Sequence, residues 1–228
     1  MKHSLNIFAI LIVMLVLPAH ADVSFSDADN EIGRCDKALK EISAIPGKHI
    51  PKGLFQKARG MAIFPGVINV GVLVGFESGR GIILRRDQKT LEWSNPAFFI
   101  FRSGSVGFQL GAQSLDLILF FMDDVSIQRL LEEKFILGVD ASVNAGPVGR
   151  EKSMDTSLRL ESQILSYAKG KGLFLGVSLS GGVIQPDTQA NDVFQGKDVS
   201  VQDVLYENRG PQTDNTRKLL ATIDELSK

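Results

Sequence analysis

The sequence is poor in the residue types on which many catalytic and metal sites depend. Its 228 residues include one cysteine, three histidines and one tryptophan. The single cysteine, Cys35, excludes an intramolecular disulfide. Two histidines, His3 and His20, lie in the first 21 residues, so only His49 remains beyond them. Zinc binding and Ser-His-Asp or Cys-His catalysis need more such groups. We therefore expect a protein that is not an enzyme and holds no metal or cofactor.

The sequence also lacks an excess of either charge. Lys and Arg total 25, while Asp and Glu total 26. Nucleic-acid-binding proteins usually carry a strong basic excess, so we expect no nucleic-acid partner. The basic residues nevertheless form three local groups: residues 48–59, Arg85 with Arg86, and Lys169 with Lys171. Such groups are compatible with an anionic partner at one surface.

No apolar run is long enough to cross a bilayer. Residues 5–17 are apolar except for one Asn, which is shorter than the roughly 20 residues of a spanning helix. Lys2 precedes this run and Ala19-His20-Ala21, a small-x-small cleavage pattern, follows it. We expect residues 1–21 to be a cleaved signal peptide and residues 22–228 to be a single domain. This domain is expected in the bacterial periplasm, where it can lie at the periphery of a membrane. The alternatives are an uncleaved anchor and a eukaryotic secretory route.

Hydrophobic periodicity predicts helices at both ends of the remaining chain. Residues 27–44 are predicted as an amphipathic helix with Cys35 on its apolar face, where a packed thiol is favoured over a reactive one. Pro51 suits the first turn of a second, short helix. The C-terminal tail is predicted to be helical, with Thr213 to Leu226 presenting leucine and isoleucine on one face.

After Gly60 the sequence becomes rich in glycine and β-branched residues, which predicts short strands. Residues 77–81 (ESGRG) are predicted as a hairpin turn between two of them. Residues 115–122 (LDLILFFM) are a buried strand or a short buried helix, and periodicity leaves both open. We predict an α+β fold: a curved or barrel-like antiparallel sheet of many short strands, with N-terminal and C-terminal helices.

Four aspartates are candidates for a metal or acid/base site: Asp116, Asp123, Asp124 and Asp140. The favoured interpretation is that Asp123 and Asp124 cap a helix that begins at Val125. Asp116 lies in an apolar run, so its carboxylate should accept a hydrogen bond if it is buried. An enzyme that uses these carboxylates with a hard metal is the least favoured hypothesis.

Seven motifs, in order and extending from about residue 35 to 198, resemble the SYLF lipid-binding domain family. They are residues 60–66 (GMAIFPG), 70–76 (VGVLVGF), 93–97 (WSNPA), 104–116 (GSVGFQLGAQSLD), 140–150 (DASVNAGPVGR), 164–181 (ILSYAKGKGLFLGVSLSG) and 191–196 (NDVFQG). The chain is similar to the stand-alone, exported bacterial type. The resemblance implies binding to a lipid or membrane surface. The phosphoinositide and actin contacts of eukaryotic members are not expected in a bacterial envelope.

The resemblance and the local basic groups together predict a lipid-binding site. Its basic members, predicted to hold anionic head groups, are Lys52, Lys57, Arg59, Lys169 and Lys171. Its apolar members, predicted to contact lipid, are Leu54, Phe55, Phe98, Phe99 and Phe101. On the residues alone, the favoured alternative is an ordinary surface helix whose apolar side, with Leu54 and Phe55, lies in the core.

A second functional hypothesis is an envelope scaffold. It would bind a protein partner through the C-terminal helix, residues 213–226, or through an exposed strand.

Overall fold

The computed structural model describes residues 22–47, 49–71, 74–106, 111–147, 162–170, 173–175 and 179–228. The predicted signal peptide and Lys171 lie outside these ranges. The helices of the described residues are α1 Phe25–Ser43, α2 Lys52–Lys57, α3 Asp124–Arg129, α4 Thr188–Gln195, α5 Val201–Glu207 and α6 Asp214–Ser227. Their strands are β1 Gly60–Gly71, β2 Val74–Arg85, β3 Ala97–Val106, β4 Gly111–Phe121, β5 Phe135–Ile136, β6 Val143–Ala145, β7 Ile164–Gly170, β8 Leu173–Leu175 and β9 Val183–Pro186.

Helix α1 begins at a capping box. The Asp27 N–H donates to the Ser24 hydroxyl (3.1 Å), and the Ser24 N–H donates to the Asp27 carboxylate (3.0 Å). These bonds satisfy backbone donors that a helix N-terminus otherwise leaves unpaired. The apolar face, including Ile32, Cys35 and Leu39, is completely buried. The predicted N-terminal amphipathic helix is confirmed.

The strands form one curled, half-barrel-like sheet with the order β5-β9-β3-β2-β1-β4-β7-β6, and β8 also pairs with β7. Strands β1 to β4 are ten to twelve residues long, longer than the many short strands predicted. All pairs are antiparallel except β6 with β7, which are parallel. The predicted α+β class with a curved sheet and flanking helices is therefore confirmed, although the sheet is mixed.

Residues 77–81 are the middle of β2 and not a hairpin turn. Glycine is required there because β1 lies very close to β2. A Cβ atom on Gly81 would lie 2.1 Å from the Ile63 carbonyl oxygen, and one on Gly79 would lie 2.8 Å from Val67 Cγ2. Glycines that resemble a turn signal in the sequence therefore mark a close backbone approach.

The close approach accompanies a β-bulge in β1. From Phe64 to Val67, β1 advances three residues while β4 advances only two. Gly66 has a φ of +64°, a left-handed conformation that glycine adopts without a Cβ penalty. Its N–H donates to the Asp116 carboxylate at 2.9 Å. Asp116 thus has the hydrogen-bond donor that its place in an apolar run requires.

The sheet is covered on both faces, which explains the uninterrupted apolar run of residues 115–122. All but the last of these residues lie in β4, so the strand alternative is correct. Phe120 packs with α1 and α2 on one face, whereas Phe121 packs with α3 and α5 on the other. A strand buried on both faces shows no alternation of apolar and polar residues.

The C-terminal helix α6 is correctly predicted, but its apolar face is used within the chain. Leu219 and Ile223 are completely buried against the core that α1 forms. The Thr222 hydroxyl donates to the Asp36 carboxylate at 2.5 Å. In the described part of the chain, no helix combines the length and apolar character needed to span a bilayer.

Candidate functional site

The apolar residues predicted to contact lipid from α2 lie in the core, and this corrects the prediction. Leu54 is completely buried and Phe55 almost so. The Phe55 ring packs edge-to-face on Phe120, with ring centroids 5.1 Å apart. The α2 helix is therefore a surface helix with its apolar side in the core, as the alternative interpretation held.

Phe98, Phe99 and Phe101 are also buried and do not contact solvent. Phe98 points to the α1 face and packs against Phe194 at 5.2 Å, while Phe101 points to the other face and packs against Phe64 at 5.7 Å. Successive strand residues do face opposite sides. Both sides are buried here, so none of the three provides an exposed lipid contact.

The basic residues of α2 lie at the surface, and the fold places Arg86 beside them. Lys52 and Lys57 are exposed, and Arg59 follows directly after the helix. The Arg86 N–H donates to the Arg59 carbonyl at 2.8 Å, and the Arg86 guanidinium donates to the carbonyl of Gln56. Partial burial, together with the positive charge of Arg59, lowers the pKa of Arg86. Two adjacent guanidinium groups favour an anionic partner.

Two exposed apolar side chains lie beside these cations. Leu91 is 54% exposed, and its carbonyl accepts a hydrogen bond from Arg86 Nε at 3.0 Å. Val125 is 53% exposed and follows Asp124, whose carboxylate lies 4.0 Å from Arg59 Nε. We call this surface the α2-end surface. It comprises Lys52, Lys57, Arg59, Arg86, Leu91 and Val125.

Leu91 and Val125 were hard to recognise in the sequence, because each is a single apolar residue in a polar segment. The turn after β2 brings Leu91 to the cations, whereas Val125 reaches them at the start of α3, beside Asp124. The Leu91 N–H donates to the Asp87 carbonyl at 3.0 Å, which fixes the turn. The Asp87 carboxylate accepts hydrogen bonds from the backbone of Thr90 and Lys89, which lower its pKa, and it lies 3.5 Å from Arg85. The Asp87 carboxylate is therefore already engaged in hydrogen bonds and an ion pair within its own turn.

Lys169 is not part of the α2-end surface. In β7, Ile164 pairs with Phe121 at the α2 end of the sheet, and Lys169 lies five residues further on, about 17 Å along the strand. Its ammonium contacts the Glu41 carboxylate at 2.5 Å and lowers the pKa of that group. The structure therefore separates this lysine from the basic residues of α2.

The candidate carboxylates have structural partners. Asp123 accepts the Ser126 N–H at 2.7 Å and caps α3, as predicted. Asp140 accepts the Ile136 N–H at 2.6 Å. Among the described residues, no group of three or more His, Cys, Asp or Glu side chains is placed to hold a metal ion.

Cys35 is a packed thiol. Its side chain is completely buried, and Sγ lies 3.5 Å from the Ile63 carbonyl oxygen. Burial raises the pKa of the thiol well above its usual value, which disfavours the reactive thiolate. The predicted structural role is confirmed.

The fold and the exposed charges define an α+β domain whose candidate site is a surface. Residues 102–226 match the family model described as "Ysc84: Las17-binding protein actin regulator". SH3 domain-containing YSC84-like protein 1 of Bos taurus is 31% identical over 210 residues, which cover 88% of this chain and 60% of that protein. Protein YSC84 of Saccharomyces cerevisiae is 31% identical over 159 residues, 68% of this chain and 34% of that protein. LAS seventeen-binding protein 3 of the same species is 30% identical over the same length.

The chain therefore belongs to the Ysc84 family, in agreement with the SYLF resemblance of its motifs. It spans 60% or less of the length of these three relatives. The matched region runs from the second half of β3 to the C-terminal helix α6 and does not include β1 and β2.

Proposed function

We propose that this protein is an exported, non-catalytic protein of the bacterial envelope that binds an anionic lipid surface through the α2-end surface. The observation that carries the proposal is the joining of four cationic side chains with two exposed apolar ones at one end of the sheet. Family membership supports a binding role, since the family is described by binding and regulation.

The expected affinity is modest and sensitive to salt. The outer side of α2 carries Lys52, Gln56 and Lys57, while Leu54 and Phe55 hold the helix on the core. A basic side chain near an anionic membrane contributes about 1 kcal/mol. Four such groups therefore contribute at most about 4 kcal/mol, because Asp124 lies 4.0 Å from Arg59 Nε and offsets part of its charge. This attraction falls off beyond a Debye length of about 8 Å at physiological ionic strength. Leu91 and Val125 would add apolar contact.

Vesicle co-sedimentation tests the proposal. Residues 22–228 should bind vesicles that contain phosphatidylglycerol and should bind pure phosphatidylcholine vesicles much less. The double substitution Lys52→Gln with Lys57→Gln should weaken binding about 25-fold, the equivalent of about 2 kcal/mol. The matched control is Lys197→Gln with Lys218→Gln, two exposed lysines elsewhere, which should bind like the unmodified protein. Equal binding to neutral vesicles, or equal loss in the control, would contradict the proposal.

Export is part of the proposal and has its own test. The motivation is the apolar run of residues 5–17 and the small-x-small pattern that follows it. Protein purified from the cell envelope should have Asp22 as its first residue. An N-terminus at Met1, in protein recovered from the cytoplasm, would contradict export.

The alternative function is binding to a protein partner as an envelope scaffold. It is supported by the name of one relative, LAS seventeen-binding protein 3, and by the family description, which refers to Las17 binding and actin regulation. The structure weakens the route through α6, because Leu219 and Ile223 pack in the core. Deleting residues 211–228 would therefore damage the fold. Pull-down of a partner from the cell envelope by the intact domain, with and without Arg217→Glu on the outer side of α6, is the better test; a partner lost in the variant would support this alternative.

A further inference from the structure

A groove of about 430 Å³ lies on the α1 face of the sheet, away from the α2-end surface. Its walls are the first half of α1 and the start of α4, and its floor is the bulge of β1 with the middle of β2. Val23, Ile68 and Phe98 contribute apolar lining. Asp27, Glu31, Arg34, Arg80 and Asp187 contribute charged lining. The groove therefore combines both signs of charge with an apolar wall.

Four of the five charged residues form two ion pairs, and the fifth, Asp27, belongs to the capping box of α1. Arg34 Nη1 lies 2.7 Å from Glu31 Oε2, and Arg80 Nε lies 3.0 Å from Asp187 Oδ2. Asp187 Oδ1 accepts the Ala190 N–H at 3.1 Å and caps α4. Both arginine side chains are about half exposed, whereas both carboxylates are buried. The pairs fix the carboxylates in the wall, Arg34 Nη2 also donates to the Pro65 carbonyl at 3.3 Å, and the exposed parts of both arginine side chains remain available to a ligand.

One carboxylate oxygen in this wall, Glu31 Oε1, lacks a hydrogen-bond partner among the described residues. Glu31 is 9% exposed and Asp187 is 4% exposed. Asp187 Oδ2 is ion-paired with Arg80 Nε at 3.0 Å, so its charge is compensated. A buried acceptor without a donor is unfavourable, so Glu31 Oε1 would gain from a ligand with an N–H group. Burial also raises the pKa of Glu31 in spite of Arg34.

We propose that this groove binds the head group of an ethanolamine phospholipid. The primary ammonium donates a hydrogen bond to Glu31 Oε1, and the three carboxylates of the lining, against two guanidinium groups, favour its positive charge. The phosphate accepts hydrogen bonds from the guanidinium groups of Arg80 and Arg34, whose planar geometry suits phosphate oxygens. This site is separate from the α2-end surface and goes beyond the proposed function.

The exposed sheet next to the groove favours a lipid over a free head group. Ile68 lines the groove and pairs with Ser78 of β2, and Phe76 lies two residues from Ser78 on the same face. Ile68 and Phe76 are each 55% exposed. An apolar strip that leads out of a polar pocket suits an acyl chain, because covering it removes apolar surface from water.

Titration with monomeric lysolipids tests the proposal. Lysophosphatidylethanolamine, kept below its micelle concentration, should bind and shift the amide NMR signals of Gly79 and Gly81, which line the groove. Lysophosphatidylcholine has methyl groups in place of N–H donors, so it should bind at least about tenfold more weakly. Phosphoethanolamine without a chain should bind more weakly than the lysolipid. Equal binding of the two lysolipids would overturn the role of the carboxylates, and equal binding of phosphoethanolamine would overturn the role of the apolar strip.

Two substitutions locate the site. Glu31→Gln should weaken lysophosphatidylethanolamine binding about tenfold or more and reduce the preference over lysophosphatidylcholine. Arg80→Gln should weaken both lysolipids, but it also removes the cation paired with the buried Asp187 carboxylate, so its stability must be measured as well. Urea denaturation checks that each variant is folded. If neither folded variant changes lysolipid affinity, the groove is not the site.

The two lipid sites can be separated experimentally. Lys52→Gln with Lys57→Gln should leave lysophosphatidylethanolamine binding unchanged. Glu31→Gln and Arg80→Gln should leave sedimentation with phosphatidylglycerol vesicles unchanged. Vesicle binding without lysolipid binding would reject the groove and retain the proposed function. Lysolipid binding without vesicle binding would do the opposite.

Discussion

Replacing Gly81 by alanine should disrupt the contact between β1 and β2. The new Cβ would lie 2.1 Å from the Ile63 carbonyl oxygen and 2.8 Å from Phe64 Cα. Both are backbone atoms, so no side-chain rotation relieves the clash. Restoring an ordinary contact of 3.4 Å to the Ile63 oxygen requires a local movement of about 1.3 Å. Hydrogen bonds of about 2.9 Å next to this point would then exceed 3.5 Å and be lost.

The cost follows from these two effects. Overpacking of a rigid site costs about 1–3 kcal/mol, and each lost hydrogen bond costs about 1 kcal/mol. With two bonds lost, we expect the free energy of unfolding to fall by about 3–5 kcal/mol. Urea denaturation followed by circular dichroism measures this value, provided that the slope of the transition is unchanged.

Gly104→Ala is the matched control, since Gly104 is also a strand glycine. In the described part of the chain, no heavy atom lies within 4 Å of the Cβ that this substitution adds. Alanine should be neutral there or stabilise the strand by up to about 1 kcal/mol. If Gly81→Ala loses less than about 1 kcal/mol, or behaves like the control, the reasoning on close approach is wrong.

Three further predictions concern buried polar groups. Asn191→Ala should lower the free energy of unfolding by about 3 kcal/mol, because the Asn191 amide pairs with both the N–H and the carbonyl of Phe98; unchanged urea denaturation would contradict this. Cys35 should react with a thiol reagent at pH 8 only at the rate of unfolding, because burial raises its pKa; rapid reaction in the folded state would contradict this. Burial also raises the pKa of Glu31 above its usual 4.5, so the folded state holds that proton more tightly than the unfolded state. Stability should therefore fall as the pH rises through the range just above 4.5, and Glu31→Gln should flatten this fall in urea midpoints measured between pH 4 and 7. Superimposable pH profiles of the two proteins would contradict the last prediction.

Elements with a local signal were predictable from the sequence. The periodicity of α1 and α6 and the Asp123 cap of α3 are local patterns, and the structure retains all three. Helix α4 was not predicted, because its eight residues are too few to show a clear period; its only strong signal is the capping Asp187 after a proline. The strand glycines of residues 77–81 led to a wrong prediction of a turn, since a glycine needed for close approach cannot be told from a turn glycine in the sequence.

The site was less predictable, because burial depends on how distant segments meet. Lys52 and Lys57 were correctly placed at the surface by the pattern of α2. Phe98 and Phe101 were wrongly placed there, since no local pattern shows that helices cover both faces of β3. The groove was missed because Glu31 and Asp187 are 156 positions apart in the chain and meet only through the β1–β2 hairpin and α4.

The bulge in β1 decides which core each later residue of that strand enters. Before it, odd-numbered residues such as Met61 and Ile63 face the helices of α1 and α6; after it, Val67 faces the opposite core and Ile68 faces the groove. A one-residue change of register exchanges the two sides of a strand. The extra residue between Phe64 and Val67 therefore reverses which side of the sheet each later β1 side chain faces. In a relative that lost one residue here, the β1 side chains after the bulge would face the wrong sides of the sheet. We therefore expect the number of residues between Phe64 and Val67 to be the same across the family, even where the residues differ.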